Sequence, residues 1–311
     1  MSSPQTSVTD SLDAEAVAAV DALVRRATAD DGVAPLNEQS MLLLHDPTNR
    51  RVHHVRAFSD SGLVGYAIVE TTDAAVVECV VDPAHRRRGI GRSLLSAAID
   101  TAEGQEMHAW AHGDLPGSAE LAASTGFQRT RILLRMRAVF DEPLAEPSAP
   151  DGVTFRTFRP GVDDAAWLAL NARAFADHPE QGSMTQHDLE QRIASDWFDA
   201  DGFFVAERDG ELLGFHWTKV TIDDTEPVGE VYVVGVDPRA QGLGLGSALT
   251  RLGLVHLQRN GVRTVDLYVE GDNEPALTVY RRLGFADAAR DVMYTRRIAP
   301  GTSSSVHPQV P

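Results

Sequence analysis

A single cysteine, Cys79, stands in 311 residues. It excludes an internal disulfide framework and a four-cysteine zinc site. No apolar run approaches the roughly 20 residues of a membrane-spanning helix. The opening MSSPQTSVTD lacks the basic and apolar regions of a secretory signal, so a cytoplasmic location with no membrane partner is expected. Basic residues are scarce: Lys+Arg is 28 against Asp+Glu 45, and the formal net charge is −17. Such a chain is a poor general binder of nucleic acid or anionic membrane and suits neutral or cationic small partners. Hydrophobic residues at 43% and charged residues at 23% lie near the globular norm, which excludes global disorder.

The chain contains a long repeat. Val81-Asp82-Pro83 precedes Arg86-Arg87-Arg88-Gly89-Ile90-Gly91, and Val236-Asp237-Pro238 precedes Gln241-Gly242-Leu243-Gly244-Leu245-Gly246, at an offset of 155. Gly113-Asp114 and Gly126-Phe127 match Gly271-Asp272 and Gly284-Phe285 at an offset of 158. A period this long is a duplicated domain and not a solenoid. A Pro-rich, acidic stretch at 141–152 reads as a linker between domains at 1–140 and 153–299. The tail 300–311 and the first eight residues read as disordered.

Each half has the same order of patterns. Helical periodicity comes first (12–27; then 165–175 and 188–193 in the second half). Three strand-like runs follow, at 52–58, 63–70 and 75–81, and at 203–207, 212–220 and 228–236. An amphipathic helix opens after each glycine motif, carrying Leu94, Leu95, Ala98 and Ile99, or Leu249, Leu252 and Val255 to Leu257. Strands at 107–111 and 264–269, a short helix and last strands at 132–139 and 292–298 complete each half. The fold class is α/β with a mixed sheet in two tandem domains.

A glycine loop opening a helix leaves N–H groups unpaired at the positive end of the helix dipole. That is an anion nest suited to a pyrophosphate, and it needs no basic protein. A Rossmann site is the main rival. It expects an acid about 20 residues on, at a strand end. Asp266 meets the spacing in the second half but sits mid-strand, and the first half has Ala111 there.

The [Gln/Arg]-x-x-Gly-x-Gly pattern after Val-Asp-Pro, with Asn273, Tyr280 and the later Gly-Phe, resembles the acetyl-CoA signature of the GNAT superfamily of N-acetyltransferases. Within it, 31–39 (DGVAPLNEQ), 178–182 (HPEQG), 229–238 (GEVYVVGVDP) and 267–273 (LYVEGDN) look like the mycothiol synthase family of tandem GNAT proteins. That family acetylates the cysteinyl amine of a cysteine–glucosamine–inositol conjugate. The resemblance implies a partly splayed sheet in each domain, with acetyl-CoA between the two diverging strands and no metal. The implied coenzyme contacts are Val234, Gly235, Val236, Gln241 to Gly246 (Gln241, Gly242, Leu243, Gly244, Leu245, Gly246) and Asn273. In the first half they are Cys79, Val80, Val81 and Arg86, Arg87, Arg88, Gly89, Ile90 and Gly91. Gly235 is expected to leave room for the pantetheine arm. Cys79 reads as a packed residue, not a nucleophile.

The resemblance assigns Glu230 as general base and Tyr280 as general acid, both expected on one side of the sheet. By offset, Ala75 and Ala122 replace them in the first half, and Leu115 replaces Asn273. Glu78 is expected to point the other way from Glu230, by strand alternation. The first half is therefore expected to bind acetyl-CoA without turnover. Glu38, Glu180, Lys219 and Tyr268 are the implied acceptor contacts, beside Glu230. His108 and His112 share a strand face without a third ligand, so a metal is not expected. The partner is a small-molecule amine, and the chain is expected to be a monomer. The alternatives are a GNAT enzyme for another small amine or a protein N-terminus, and a non-catalytic acetyl-CoA sensor.

Overall fold

The computed structural model describes residues 5–297, apart from 47, 49, 50, 61, 72, 73, 103, 105, 177, 178, 224 and 225. The expected disorder of 300–311 falls outside the described residues. Two compact units emerge: 1–133 with 290–311, and 134–289.

The first unit runs β1 (Gln5–Thr9), α1 (Ala14–Asp31), α2 (Glu38–Leu44), β2 (Val52–Ser59), β3 (Gly62–Thr71), β4 (Ala75–Val81), α3 (Ile90–Thr101), β5 (Met107–Ala111), α4 (Ser118–Ser124) and the start of β6 (Gln128–Val139). The second contains the rest of β6, β7 (Thr154–Thr157), α5 (Asp164–Ala174), α6 (Pro179–Gly182), α7 (Gln186–Ile193), β8 (Phe203–Arg208), β9 (Glu211–Asp223), β10 (Glu226–Val236), α8 (Leu245–Arg259), β11 (Thr264–Glu270), α9 (Glu274–Arg282) and the start of β12 (Ala286–Arg296).

The first unit's strands lie in the order β1-β2-β3-β4-β5-β12-β6, and the second's in the order β6-β11-β10-β9-β8-β7. The division thus falls inside β6 and β12 rather than at the linker. Residues 292–296 of β12 pair antiparallel with β5, and Arg137 of β6 grips Asp266 of β11 at 2.6 and 2.7 Å. Each half's last strand finishes in the other unit, which sequence patterning along one half does not encode. Residues 5–9 form a strand where none was expected: β1 pairs antiparallel with β2, from Gln5↔Phe58 to Thr9↔His54.

Helices cover both faces of each unit's sheet. α1 begins at Asp13, whose carboxylate accepts the Ala16 N–H, and ends at Gly32 in the left-handed region. It buries Val20, Leu23, Val24 and Ala27 against Tyr66, Ile68 and Val80. α3 buries Ile90, Leu94, Leu95 and Ala98 on the opposite face, with Ala75, Val77 and Met107. Their spacing is the helical period that marks the strip in the sequence. In the second unit α8 takes that role with Leu245, Leu249, Leu254 and Leu257. The other face holds an aromatic core in which Phe203 stacks on Phe158 at 4.2 Å and on Trp217 at 4.5 Å. Truncating a leucine of the α8 strip to Ala costs about 2–5 kcal/mol.

Candidate active site

β10 and β11 run parallel and paired only from Val228↔Thr264 to Val231↔Leu267. Both continue beyond that point, β10 to Val236 and β11 to Glu270, so a gap opens between them. β10 stays attached to β9 along its other edge, but its register shifts between Val231 and Val233. Tyr232 is the extra residue of a β-bulge. Packing confirms it: Val231 and Val234, three apart, both join the α8-side core, whereas Tyr232 and Val233 pack in the aromatic core on the α5 side. A regular strand alternates, and a bulge resets the alternation.

Beyond the bulge one edge of β10 faces the gap. The Asp237 N–H donates to Leu213 O at 2.8 Å, towards β9. By alternation Gly235 also turns to β9, and Val234 and Val236 turn their N–H and C=O groups into the gap. Strand-like hydrogen bonds to an extended pantetheine arm are available there. Gly235 is glycine for a different reason from the one expected. A Cβ there would lie 2.7 Å from Phe215 and 3.1 Å from Phe175, so the aromatic core demands its absence.

The glycine loop follows. Asp237 closes the Val-Asp-Pro turn by accepting the Arg239 N–H at 2.9 Å, and it receives Arg173 of α5 at 2.9 Å. Hydrogen bonds from Arg239, and then from Arg173, hold this carboxyl well below the usual range. Gly242 and Gly244 take φ of 82° and 77°, where an L side chain is strained. α8 then starts with no side-chain cap, unlike α1, α2, α7 and α9, which Asp13, Asn37, Thr185 and Asn273 cap. Its first N–H groups, from Leu245 and Gly246 on, thus lack a side-chain cap beside Gln241 and Leu243, an arrangement that can receive an anion. The uncapped start and the gap edge fit a coenzyme with a pyrophosphate and an amide-bearing arm. Asn273 is occupied as the cap of α9, accepting the Ala276 N–H at 3.1 Å.

Glu230 lies just before the bulge. A Cβ on neighbouring Gly229 would meet Leu257 and Val262 on the α8 side, so Glu230 faces the α5 side. Directly opposite on β9 is Lys219, whose Nζ lies 4.6 Å above the Trp197 ring and 5.2 Å from that of Tyr232. Tyr232 is pinned by the Arg192 Nε–H, which donates to its hydroxyl at 2.9 Å. Tyr268, 45% exposed, and Asp266 share this face by alternation with buried Val265, Leu267 and Val269. Glu180 falls in α6, and its side chain lies outside what the structure describes. Glu38 is the first residue of α2 in the first unit.

Tyr280 does not share that side. Its ring is buried in the α8-side core with Leu277 and Leu267, edge-on to Phe285 at 6.0 Å. Burial pushes its hydroxyl up to about 12, so it stays a neutral donor across physiological pH. Glu230 and Tyr280 thus lie on opposite faces of the sheet, contrary to the one-sided arrangement expected. A resemblance in sequence carries no face information across a bulge.

The first unit repeats the frame with other contents. β4 and β5 pair from Ala75↔Met107 to Val77↔Ala109 and then separate. The Asp82 N–H donates to Val64 O, so Cys79 and Val81 face the gap and Val80 does not. Cys79 is packed against the α3-side core; burial, then the Glu78 charge, pushes its thiol up to about 11, which suits the structural reading. Gly89 has φ 83°, and Arg87 takes φ 61° where the second unit has Gly242. Gly91 follows in α3, where a Cβ would lie 3.1 Å from Leu121. Two of the three arginines are tied to groups of the protein itself. Arg86 holds Asp31 at 2.7 and 2.6 Å and donates to Val81 O, and Arg88 donates to Ala84 O.

The strand registers revise two alignments. Gly229 pairs with Val265 as Ala75 pairs with Met107, so Val76, not Ala75, stands where Glu230 does. β4 has no bulge. Glu78 therefore lies on the same face of its sheet as Glu230 does in the other unit, not the opposite one. It is 1% exposed and paired with His112. Ala122 is confirmed as the counterpart of Tyr280: its carbonyl accepts the Phe127 N–H as that of Tyr280 accepts the Phe285 N–H.

A family model described as "Acetyltransferase (GNAT) family" matches residues 20–127 and 167–285, one match in each half. The chain belongs to the GNAT acetyltransferase family. It is 52% identical over 289 residues to "Mycothiol acetyltransferase" of Thermomonospora curvata, covering 92% of this chain and 95% of that protein. To the protein of the same name from Thermobispora bispora it is 50% identical over 281 residues, covering 89% and 95%. Among solved structures it is similar to a tandem GNAT protein from the clavulanic acid biosynthesis pathway, with a TM-score of 0.73, 22% identity and 96% and 99% of the two chains covered. A GCN5-related N-acetyltransferase from Sphaerobacter thermophilus gives a TM-score of 0.71 at 22% identity, over 95% and 96%. These two likenesses speak to the fold. Identity near one half over nearly the whole length places the chain among the mycothiol acetyltransferases, and it is an N-acetyltransferase. No helix among the described residues is long and apolar enough to cross a membrane.

Proposed function

We propose that the second unit moves the acetyl group of acetyl-CoA to the cysteinyl amine of 1D-myo-inositol 2-(L-cysteinylamino)-2-deoxy-glucopyranoside, giving mycothiol and CoA. One observation carries this reading: a gap between two parallel strands with a carboxylate on one face and a buried neutral phenol on the other. Acetyl-CoA supplies the thioester. The α8 cradle holds its pyrophosphate, and the Val234 and Val236 edge holds its arm.

An α-amine has a pKa near 7.7–8.0 and arrives largely as ammonium. Glu230 removes that proton, directly or through a water. The neutral amine nitrogen then bonds to the thioester carbon and releases its second proton to water, the C–S bond breaks, and Tyr280 gives its proton to the departing sulfur and regains one from solvent. Lys219, held over two rings, and Tyr268 line the acceptor face with Glu230. Lys219 opposes Glu230 across the strand pair.

The first unit is proposed to bind acetyl-CoA at the Gly89 to Gly91 cradle without turnover, since Val76 and Ala122 replace the two reacting groups. An acceptor panel tests the whole reading. Acetyl-CoA is offered with the cysteinyl glucosamine–inositol conjugate, simple alkylamines, an aminoglycoside and a peptide N-terminus. The acceptor carries its own thiol, so the readout is mass gain on the acceptor and not a thiol reagent. Acetylation of the conjugate by a margin of about 10²-fold is expected, and a peptide or aminoglycoside acetylated equally well refutes it.

A further inference from the structure

The first unit's gap holds a charged cluster that the reaction does not use. Glu78 is the first β4 residue beyond the split, on the α1 side with Val80. Its Oε1 lies 2.8 Å from Nε2 of His112, which follows β5 directly. The other ring nitrogen, Nδ1, lies 3.0 Å from Oδ2 of Asp291 on β12. Both carboxylates are fixed from behind. The Asn37 N–H donates to Glu78 Oε2 at 2.9 Å, and the Gly113 N–H to Asp291 Oδ1 at 2.8 Å. The ring lies parallel to Trp110, with centroids 6.3 Å apart, and Arg290 is turned away to Asp114.

A neutral imidazole has one N–H, yet here each nitrogen meets a carboxylate oxygen. With both carboxylates as acceptors, hydrogen bonds at both nitrogens need the doubly protonated ring. Burial alone would lower its pKa; the charge of Glu78 and the hydrogen bonds to Asp291 and Glu78 outweigh that and push it up to about 10.

We propose that His112 is a built-in stand-in for an acceptor's ammonium, spanning the two separated strands and barring amines from the first unit. It rests on the reading that turnover belongs to the second unit, and it gives that division a physical cause beyond the missing base. In the second unit the position matching His112 at the 158 offset is Glu270, not a histidine. Removing the ring leaves two anchored carboxylates around a vacated space. That is a site for a small planar organic cation.

The full chain carrying His112→Gly provides the test, probed with imidazole at pH 6.5 and with pyrazole, a ring of the same size that stays neutral. The variant is expected to melt about 5–15 °C below the parent. Imidazole at tens of millimolar is expected to recover about half of that loss or more, and to leave the parent unmoved. Rescue by pyrazole as large as by imidazole, or no rescue by either, overturns the proposal. If the variant does not fold, nitrogen-15 NMR of the parent at pH 8 decides: two protonated ring nitrogens on His112 are expected, and a neutral ring overturns it. These readouts involve neither coenzyme nor acceptor. A Glu230→Gln enzyme with full turnover would therefore sink the catalytic assignment and leave this result standing.

Discussion

Arg87 and Gly242 hold the same left-handed backbone, φ 61° and 82°, two residues ahead of Gly89 and Gly244, which also match at 83° and 77°. The first unit accepts the strain of a non-glycine residue there, about 1–2 kcal/mol, to keep that loop path. Around it the side chains have changed freely: Arg86 is tied to Asp31, and Gln241 stands in its place in the second unit. The cradle is therefore a backbone device, and both units retain it. The gaps beside it differ. One has Glu230 just before its mouth, with Lys219 opposite on β9 and a bulge beyond; the other, unbulged, is bridged by Glu78, His112 and Asp291. On the proposed reading, donor binding follows backbone shape and is kept in both units, while turnover follows a few side chains and one extra residue.

The sharpest way to break this comparison is to damage each cradle in turn. Gly244→Val places a β-branched residue at φ 77° and removes the path of the N–H groups. Turnover is expected to fall by about 10²-fold or more, with loss of one of two acetyl-CoA equivalents by equilibrium dialysis. Gly89→Val is expected to lose the other equivalent while turnover stays within about twofold. Equal losses of turnover would erase the distinction between the units.

A smaller effect is expected at Tyr280→Phe: kcat down about 10–10²-fold with KM for the acceptor little changed. With the hydroxyl near 12, the parent's pH–rate profile carries no descending limb from Tyr280 below about pH 11. Smaller again is a pH effect on stability confined to the first unit. His112 binds its proton more tightly folded (about 10) than unfolded (6.5). Its contribution is complete below pH 6.5, shrinks as pH rises and is gone above about 10. Hydrogen exchange should show β4 and β5 weakening over that window, and His112→Gln should flatten the trend. Least affected is Cys79→Ala, expected to keep full turnover and cost about 1 kcal/mol, checked by denaturant unfolding.

Much of the frame was legible. β4 and β5 coincide with their sequence-expected spans because apolar runs between turn signals have few other ways to fold. The glycine loops announced their helices. β1 was not legible: QTSVT has no apolar alternation, and it is a strand because β2 offers an edge. α2 is seven residues long and rests on the Asn37 cap rather than on a periodic stripe. The bulge at Tyr232 has no signature in residue type, yet it decides which face Glu230 occupies. It also reverses the alternation inferred for Glu78. His112 looked like a metal ligand short of a partner; its partners come from 34 and 179 positions away. Distances of that kind belong to topology and are not written in local pattern.

The most direct measurement is steady-state turnover of the Glu230→Gln enzyme with the cysteinyl glucosamine–inositol acceptor at neutral pH, alongside its acetyl-CoA affinity. Turnover about 10²–10⁴-fold below the parent, with affinity within about threefold, is the result expected of a lost base beside an intact cradle. Turnover close to the parent's would mean that another group takes the amine's proton and that the gap between β10 and β11 is not where the acetyl group changes hands.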